Sequence, residues 1–102
     1  MLQRIEIIGN LVQDAEVKTG KDGKEFVTFR VAVSEGSGDD RRATYYDITY
    51  VKNGLLPYLK KGQSIYVSGR ISISAVCKDD KAYVNAYVSG RDVELLGAPR
   101  ND

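Results

Sequence analysis

The sequence predicts an all-β domain, a five-stranded barrel with one short helix between its third and fourth strands. Two observations carry that expectation. Five runs alternate apolar with polar residues and are separated by clusters of Gly, Asp, Ser and Lys. One stretch, Asn53 to Gly62, breaks the alternation and reads as a loop with a short helix. The 102 residues suffice for one compact domain and not for two. Residues 1–97 are expected to form it, and 98–102 a flexible end.

The first strand is Arg4 to Leu11, with Ile5, Ile7 and Leu11 on one side and Arg4, Glu6 and Ile8 on the other. Gly9 interrupts it, which signals a bulge or a close backbone approach. Lys18 to Lys24 contains two glycines and no apolar residue, the composition of a turn. Glu25 to Ser34 follows as the second strand, with Val27, Phe29, Val31 and Val33 sharing a face. Glu35 to Arg42 is a polar loop. The third strand, Ala43 to Val51, sets Tyr46, Ile48 and Tyr50 against Tyr45, Asp47, Thr49 and Val51.

In the helical stretch, Pro57 stands near the start and Gly62 just past the end. Lys60 and Lys61 fall in the last turn, where cations complement the helix dipole. Ser64 to Ser74 is the fourth strand, with Ile65, Val67, Ile71 and Ile73 inward and Gly69 midway. Lys78 to Asp80 turns the chain into a fifth strand, Lys81 to Val88, and Val93 to Leu96 adds a short apolar end. This order matches the OB-fold. A five-stranded sandwich or SH3-like barrel fits the periodicity almost as well.

Composition narrows the function. The chain has no histidine, which removes the commonest general base and the usual nucleophile–base pairs. Its single cysteine, Cys77, forms no disulfide within the chain and builds no zinc site, so it reads as a small strand residue. The carboxylates cluster in turns such as Gly38-Asp39-Asp40 and Lys78-Asp79-Asp80. Binding is therefore expected, and neither catalysis nor a cofactor nor a metal. Fifteen Lys and Arg against fourteen Asp and Glu leave a net charge of +1, so any basic surface must be local. No apolar run is long enough to span a membrane, and Arg4 and Glu6 interrupt any secretory signal, so the cytoplasm is the expected compartment. Gly20 to Lys24 reads as a hairpin turn rather than a phosphate-binding loop, because it lacks the full glycine spacing and the Lys-Ser/Thr pair.

Five segments, in order, resemble the bacterial single-stranded DNA-binding protein family. They are Met1 to Leu11 with Asp14-Ala15-Glu16-Val17-Lys18, Phe29 to Ser34, Tyr58 to Gly62, Ile65 to Arg70, and Asp92 to Gly97. The resemblance implies an OB-fold that binds single-stranded DNA with little sequence preference, protecting it during replication, recombination or repair. It also implies a homo-oligomer, a tetramer or else a dimer. Such binding combines a cationic groove with aromatic stacking platforms.

Carried onto this sequence, the resemblance makes Tyr45 a stacking platform, with Tyr83 a second candidate. Lys18, Lys24, Arg41 and Arg42 in or beside loops, and Arg30 and Arg70 on strands at outward parity, are the candidate phosphate contacts. Arg4 shares that outward parity, and Tyr66 faces either the groove or a subunit interface. The chain departs from the family in having no tryptophan. Ser37, Val51 and Val76 stand at other usual platform positions, and Asp47 where a basic or polar residue is commoner. Weaker binding than that of a typical member is the expected consequence. The family usually ends in a flexible linker and an acidic recruiting tip, and Gly97 to Asp102 is neither long nor acidic enough for one, so either that function is lacking or the chain is a core fragment. Two rival readings remain, a dimer like the short primosomal replication proteins and a protein-interaction module without DNA binding.

Overall fold

The computed structural model describes residues 3–97, so the expected flexible end at 98–102 lies outside the described residues. Six strands run in chain order: β1 (Arg4–Leu11), β2 (Glu16–Thr19), β3 (Glu25–Glu35), β4 (Arg42–Tyr50), β5 (Ser64–Lys78) and β6 (Lys81–Leu96). Single 3₁₀ turns lie at Gly38–Asp40 and Leu56–Tyr58.

The hydrogen-bonded order is β1-β5-β6-β4-β3-β2, and an added β1–β3 pairing closes the sheet into a barrel. All neighbours are antiparallel except β4 and β6, which run parallel through Asp47↔Tyr87, Ile48↔Val88 and Thr49↔Ser89. Closure occurs at the end of β1, where Asn10, still paired with Ser64 of β5, also pairs with Ala32, and Leu11 pairs with Val31. Gly9 is the residue that permits it, because a Cβ there would collide with the Ala32 carbonyl.

Inside, the alternation predicted from sequence holds. Val27, Phe29 and Val31 of β3 are buried, as are Ile48 and Tyr50 of β4, Ile65 and Val67 of β5, and Val88 and Val93 of β6. Their neighbours in sequence, such as Arg30 and Asp92, point outward. Period-two burial of this kind is what a closed barrel demands of each strand.

The expected helix is one 3₁₀ turn. Pro57 supplies no N–H, and only three residues, Leu56–Tyr58, hold the conformation. Its role is to deliver Leu59, which is 1% exposed, into the core. Ala15 N–H donates to the Leu59 carbonyl at 2.9 Å, and Lys61 N–H donates to Asp14 Oδ1 at 2.9 Å. Lys60 does not complement a helix end. Its Nζ lies 3.7 Å from Asp14 Oδ2 instead.

Four other expectations are corrected. Lys18 is not in a turn, because β2 pairs it with Phe26 of β3 and the turn begins only at Gly20. Val93 to Leu96 is the continuation of β6, not a separate end. The hairpin of β5 and β6 is longer than predicted, pairing out to Lys78↔Lys81 around Asp79 and Asp80. Both aspartates have positive φ, 53° and 62°, as a two-residue hairpin turn of matching twist requires. The hairpin projects beyond the barrel, so Ile73, expected inward, is 65% exposed, and Val84 is 68% exposed.

Leu59→Ala should destabilise the domain by about 2–5 kcal/mol, the cost of a cavity at a fully buried leucine. Urea unfolding followed by circular dichroism measures it. A loss below about 1 kcal/mol would show that the loop does not anchor the barrel.

Candidate nucleic-acid interface

Registers that cross the sheet place the outward residues in rows. One row runs Arg30 (β3), Asp47 (β4), Tyr87 (β6), Ser72 (β5). The next runs Thr28, Thr49, Ser89, Arg70 and then Arg4 of β1. Tyr45 stands two residues before Asp47 on the same face, opposite Ala32, whose small side chain leaves the ring uncovered. Tyr83 stands four residues before Tyr87, opposite Val76 on the hairpin. Tyr45, Tyr83 and Tyr87 are 55%, 50% and 47% exposed, so three rings lie open at outward positions of β4 and β6.

Arg30 Nε donates to Asp47 Oδ1 at 2.9 Å, and Nη2 to Oδ2 at 3.5 Å. This hydrogen bond, and then the charge of Asp47, raise the guanidinium pKa above its ordinary value, so Arg30 stays cationic at any working pH. The same contact spends part of that charge locally. The adjoining groove, about 410 Å³ in volume, brings Lys18 and Arg30 together with Asp14, Glu16, Asp47 and Tyr87. Two cations against three carboxylates leave this groove without a positive excess.

The eight residues predicted from sequence therefore divide. Arg30 and Lys18 line the groove, and Tyr45 lies on the same face. Tyr83 lies along the hairpin. Arg42 opens β4 opposite Glu35, with Arg41 before it, and Lys24 ends the β2–β3 turn, its N–H donating to Asp22 Oδ1 at 3.0 Å. Arg70 lies away from the groove, opposite Ser89 and Arg4. Of the other residues that the resemblance sets at platform positions, Val51 is exposed, as is Val76 opposite Tyr83.

Tyr87 is not among the stacking candidates named from sequence, although its parity puts it on the same face of the strand as Tyr83, groove or partner surface. What places it beside Arg30 and Asp47 is the parallel β4–β6 pairing, which no local pattern announces. Among the described residues, no three His, Cys, Asp or Glu side chains group to hold a metal ion. No described helix is long and apolar enough to cross a membrane.

A small closed barrel with an open sheet face of aromatic and cationic side chains defines an OB-fold module, a class that receives oligonucleotides or oligosaccharides on that face. The model of the single-strand binding protein family matches residues 2–96. The single-stranded DNA-binding protein 1 of Chlorobaculum tepidum is 31% identical over 108 residues, covering 95% of this chain and 66% of that protein. The single-stranded DNA-binding protein of Chlamydia trachomatis is 35% identical over 89 residues, 81% of this chain and 55% of that one. The chain thus spans about half to two thirds of these relatives' length. Among solved structures, the small single-stranded DNA-binding protein of Streptomyces coelicolor superposes with a TM-score of 0.71 at 16% identity, covering 90% and 92% of the two chains. The Plasmodium falciparum SSB in complex with ssDNA also gives 0.71, at 20% identity and 95% and 96% coverage. With a family model spanning nearly its whole length, the chain belongs to the single-strand binding protein family.

Asp47→Asn should release Arg30 and remove a negative charge from the face. Affinity for oligo-dT should rise about two- to fivefold at moderate salt, the range of an exposed ion pair. Fluorescence anisotropy reads this change. Weaker binding would mean that Asp47 holds Arg30 in its working position.

Proposed function

We propose that this protein binds single-stranded DNA without catalysing any reaction and with little sequence preference. The observation that carries the reading is the set of three open tyrosines on the face that also bears Arg30. Bases stack on Tyr45 and Tyr87, and Tyr83 extends the platform along the hairpin. Every base has a π-face, so stacking is tolerant of sequence. Lys18, Lys24, Arg30, Arg41 and Arg42 meet phosphates and give the salt dependence. Family membership and the fold shared with a protein solved in complex with ssDNA support the same reading. The setting is cytoplasmic protection of single strands in replication, recombination or repair.

Self-association belongs to this reading. Arg4 to Ile8 pair with β5 on one edge only, while β3 takes up β1 at Asn10 and Leu11. An open strand edge invites pairing with a second copy. Ile8, 62% exposed, lies opposite half-buried Tyr66 and adds apolar surface there. A homotetramer is the assembly proposed, with a dimer as the alternative. Light scattering of the protein in solution decides between them.

Anisotropy of labelled oligo-dT, titrated at low and moderate salt, tests the binding. Saturable, salt-weakened binding with little competition from duplex DNA is expected. Tyr45→Ala and Tyr87→Ala should each cost about 1–3 kcal/mol. Absence of binding by the wild type at low salt overturns the proposal and favours a protein-interaction module.

A further inference from the structure

The groove holds a carboxylate where a surface for polyanions has least use for one. Asp47 stands in the middle of its row, with Arg30 of β3 on one side and Tyr87 of β6 on the other. Tyr45 lies two residues earlier on the same strand and the same face, about 7 Å away along it. A carboxylate there repels the phosphates that neighbouring cations attract. The cross-strand pair with Arg30 does little to offset that cost. Its two side chains are 52% and 37% exposed, and exposed ion pairs add little to stability.

The three carboxylates of the groove differ in what they reach. Asp14 is occupied, since its Oδ1 accepts from the Lys61 N–H at 2.9 Å and its Oδ2 lies 3.7 Å from Lys60 Nζ. Glu16 of β2 pairs in register with Thr28, so β3 and β4 separate it from β6 and its tyrosines. Asp47 alone of the three adjoins the rings, one strand spacing, about 5 Å, from Tyr87. The hydrogen bond and charge of Asp47 first, and more weakly Tyr45 and Tyr87, raise the Arg30 pKa. The ion pair and the two rings therefore share one electrostatic neighbourhood.

Arg30 does not exhaust this carboxylate. Its Nε donates to Oδ1 at 2.9 Å, which orients the group, while the Nη2 contact to Oδ2 is long at 3.5 Å. An ionised carboxyl offers about four acceptor positions and no donor. Oδ2 thus keeps lone pairs for a base edge. Bases differ in what they present to it. Cytosine carries the N4 amino donor, whereas thymine and uracil carry the O4 acceptor in its place. A carboxylate accepts from the first and repels the second.

We infer that Asp47 reads the edge of a base stacked on Tyr45 or Tyr87 and favours cytosine over thymine or uracil at that place on the strand. The inference rests on the stacking proposed above and adds a modest preference to it. Stacking and phosphate contacts stay indifferent to sequence, so the bias is confined to the bases beside Asp47.

Oligomers of dC and dU of about 8 nucleotides, within the range of site sizes for one OB-fold, isolate the contact. Both are pyrimidines without a methyl group, and they differ in the edge that Asp47 meets. Neutral to mildly alkaline buffer keeps cytosine N3 unprotonated. Anisotropy at one moderate salt concentration is read for the wild type, Asp47→Asn, Asp47→Ala and Glu16→Gln. Each variant is first checked for native circular dichroism and for unchanged mass by light scattering. The wild type should bind dC about three- to tenfold more tightly than dU, the discrimination of one charged hydrogen bond. An amide accepts from N4 and donates to O4, so Asp47→Asn should bring the ratio to about one, chiefly by strengthening dU. Asp47→Ala, which neither accepts nor donates, should abolish the preference as well. Glu16→Gln removes the same charge from the same groove and should shift both oligomers alike, leaving the ratio as in the wild type.

A wild type that binds the two oligomers equally, or prefers dU, overturns the inference. So does a dC preference that either Asp47 variant leaves intact, which assigns the preference to stacking. Loss of affinity by the same factor for both oligomers in Asp47→Asn overturns it too, and leaves Asp47 as a positioning residue for Arg30. A ratio that Glu16→Gln also abolishes overturns it in favour of the overall charge of the groove. Failure of the wild type to bind either oligomer is a different result, the failure of the binding proposal itself.

Discussion

Everything on the proposed binding face depends on how β3 divides one of its edges. From Glu25 to Thr28 that edge pairs with β2, and at Val31 and Ala32 it takes the end of β1. The second pairing closes the barrel, and it exists because Gly9 has no side chain to keep the Ala32 carbonyl away. Closure buries Val27, Phe29 and Val31 on one side of β3. Their alternation partners, Thr28, Arg30 and Ala32, are then forced to the outer surface. The chemical character of the face is thus a consequence of core packing one residue away.

Closure also brings β4 beside β6 as the barrel's parallel neighbours. That pairing merges two sets of tyrosines that are far apart in sequence. Tyr45 comes from one limb and Tyr83 and Tyr87 from a hairpin that extends past the core. The hairpin is held by strand pairing rather than by burial, as the exposure of Ile73 and Val84 shows. Segments with little buried apolar surface open most readily. The inner end of the proposed platform, at Tyr87, is therefore anchored by buried Val88, and its outer end, at Tyr83, is the more adaptable.

Charge is distributed differently from shape. The groove beside Tyr87 carries three carboxylates against two cations, and one of those cations, Arg30, is held by Asp47. Arg4, Arg70 and Arg91 gather instead where a bulge in β6 meets Gly69, beside Glu6 and Asp92. A net charge of +1 conceals this separation. Local potential and not total charge sets where a polyanion is drawn.

The strands were legible in the sequence because burial in a barrel alternates residue by residue, and β1, β3 and β4 match their predicted runs closely. So were Tyr45 and Arg30 as outward residues, by the same parity. The short β2 was not, since its four residues are all exposed and leave no apolar signal. The expected helix shrank to a single turn around Pro57, with Leu59 buried in the core and Leu55 and Leu56 packed against it. Ile73 read as core and is not, for alternation reports which face a side chain takes and not whether anything covers it. What only the tertiary structure decided is which outward residues are neighbours: Arg30 with Asp47, Asp47 with Tyr87, Arg4 with Arg70. Those pairs join positions 17 to 66 residues apart, and their register is set by barrel closure and a bulge. Local sequence encodes the facing of each strand, while the energy that selects its partners comes from burying a shared core.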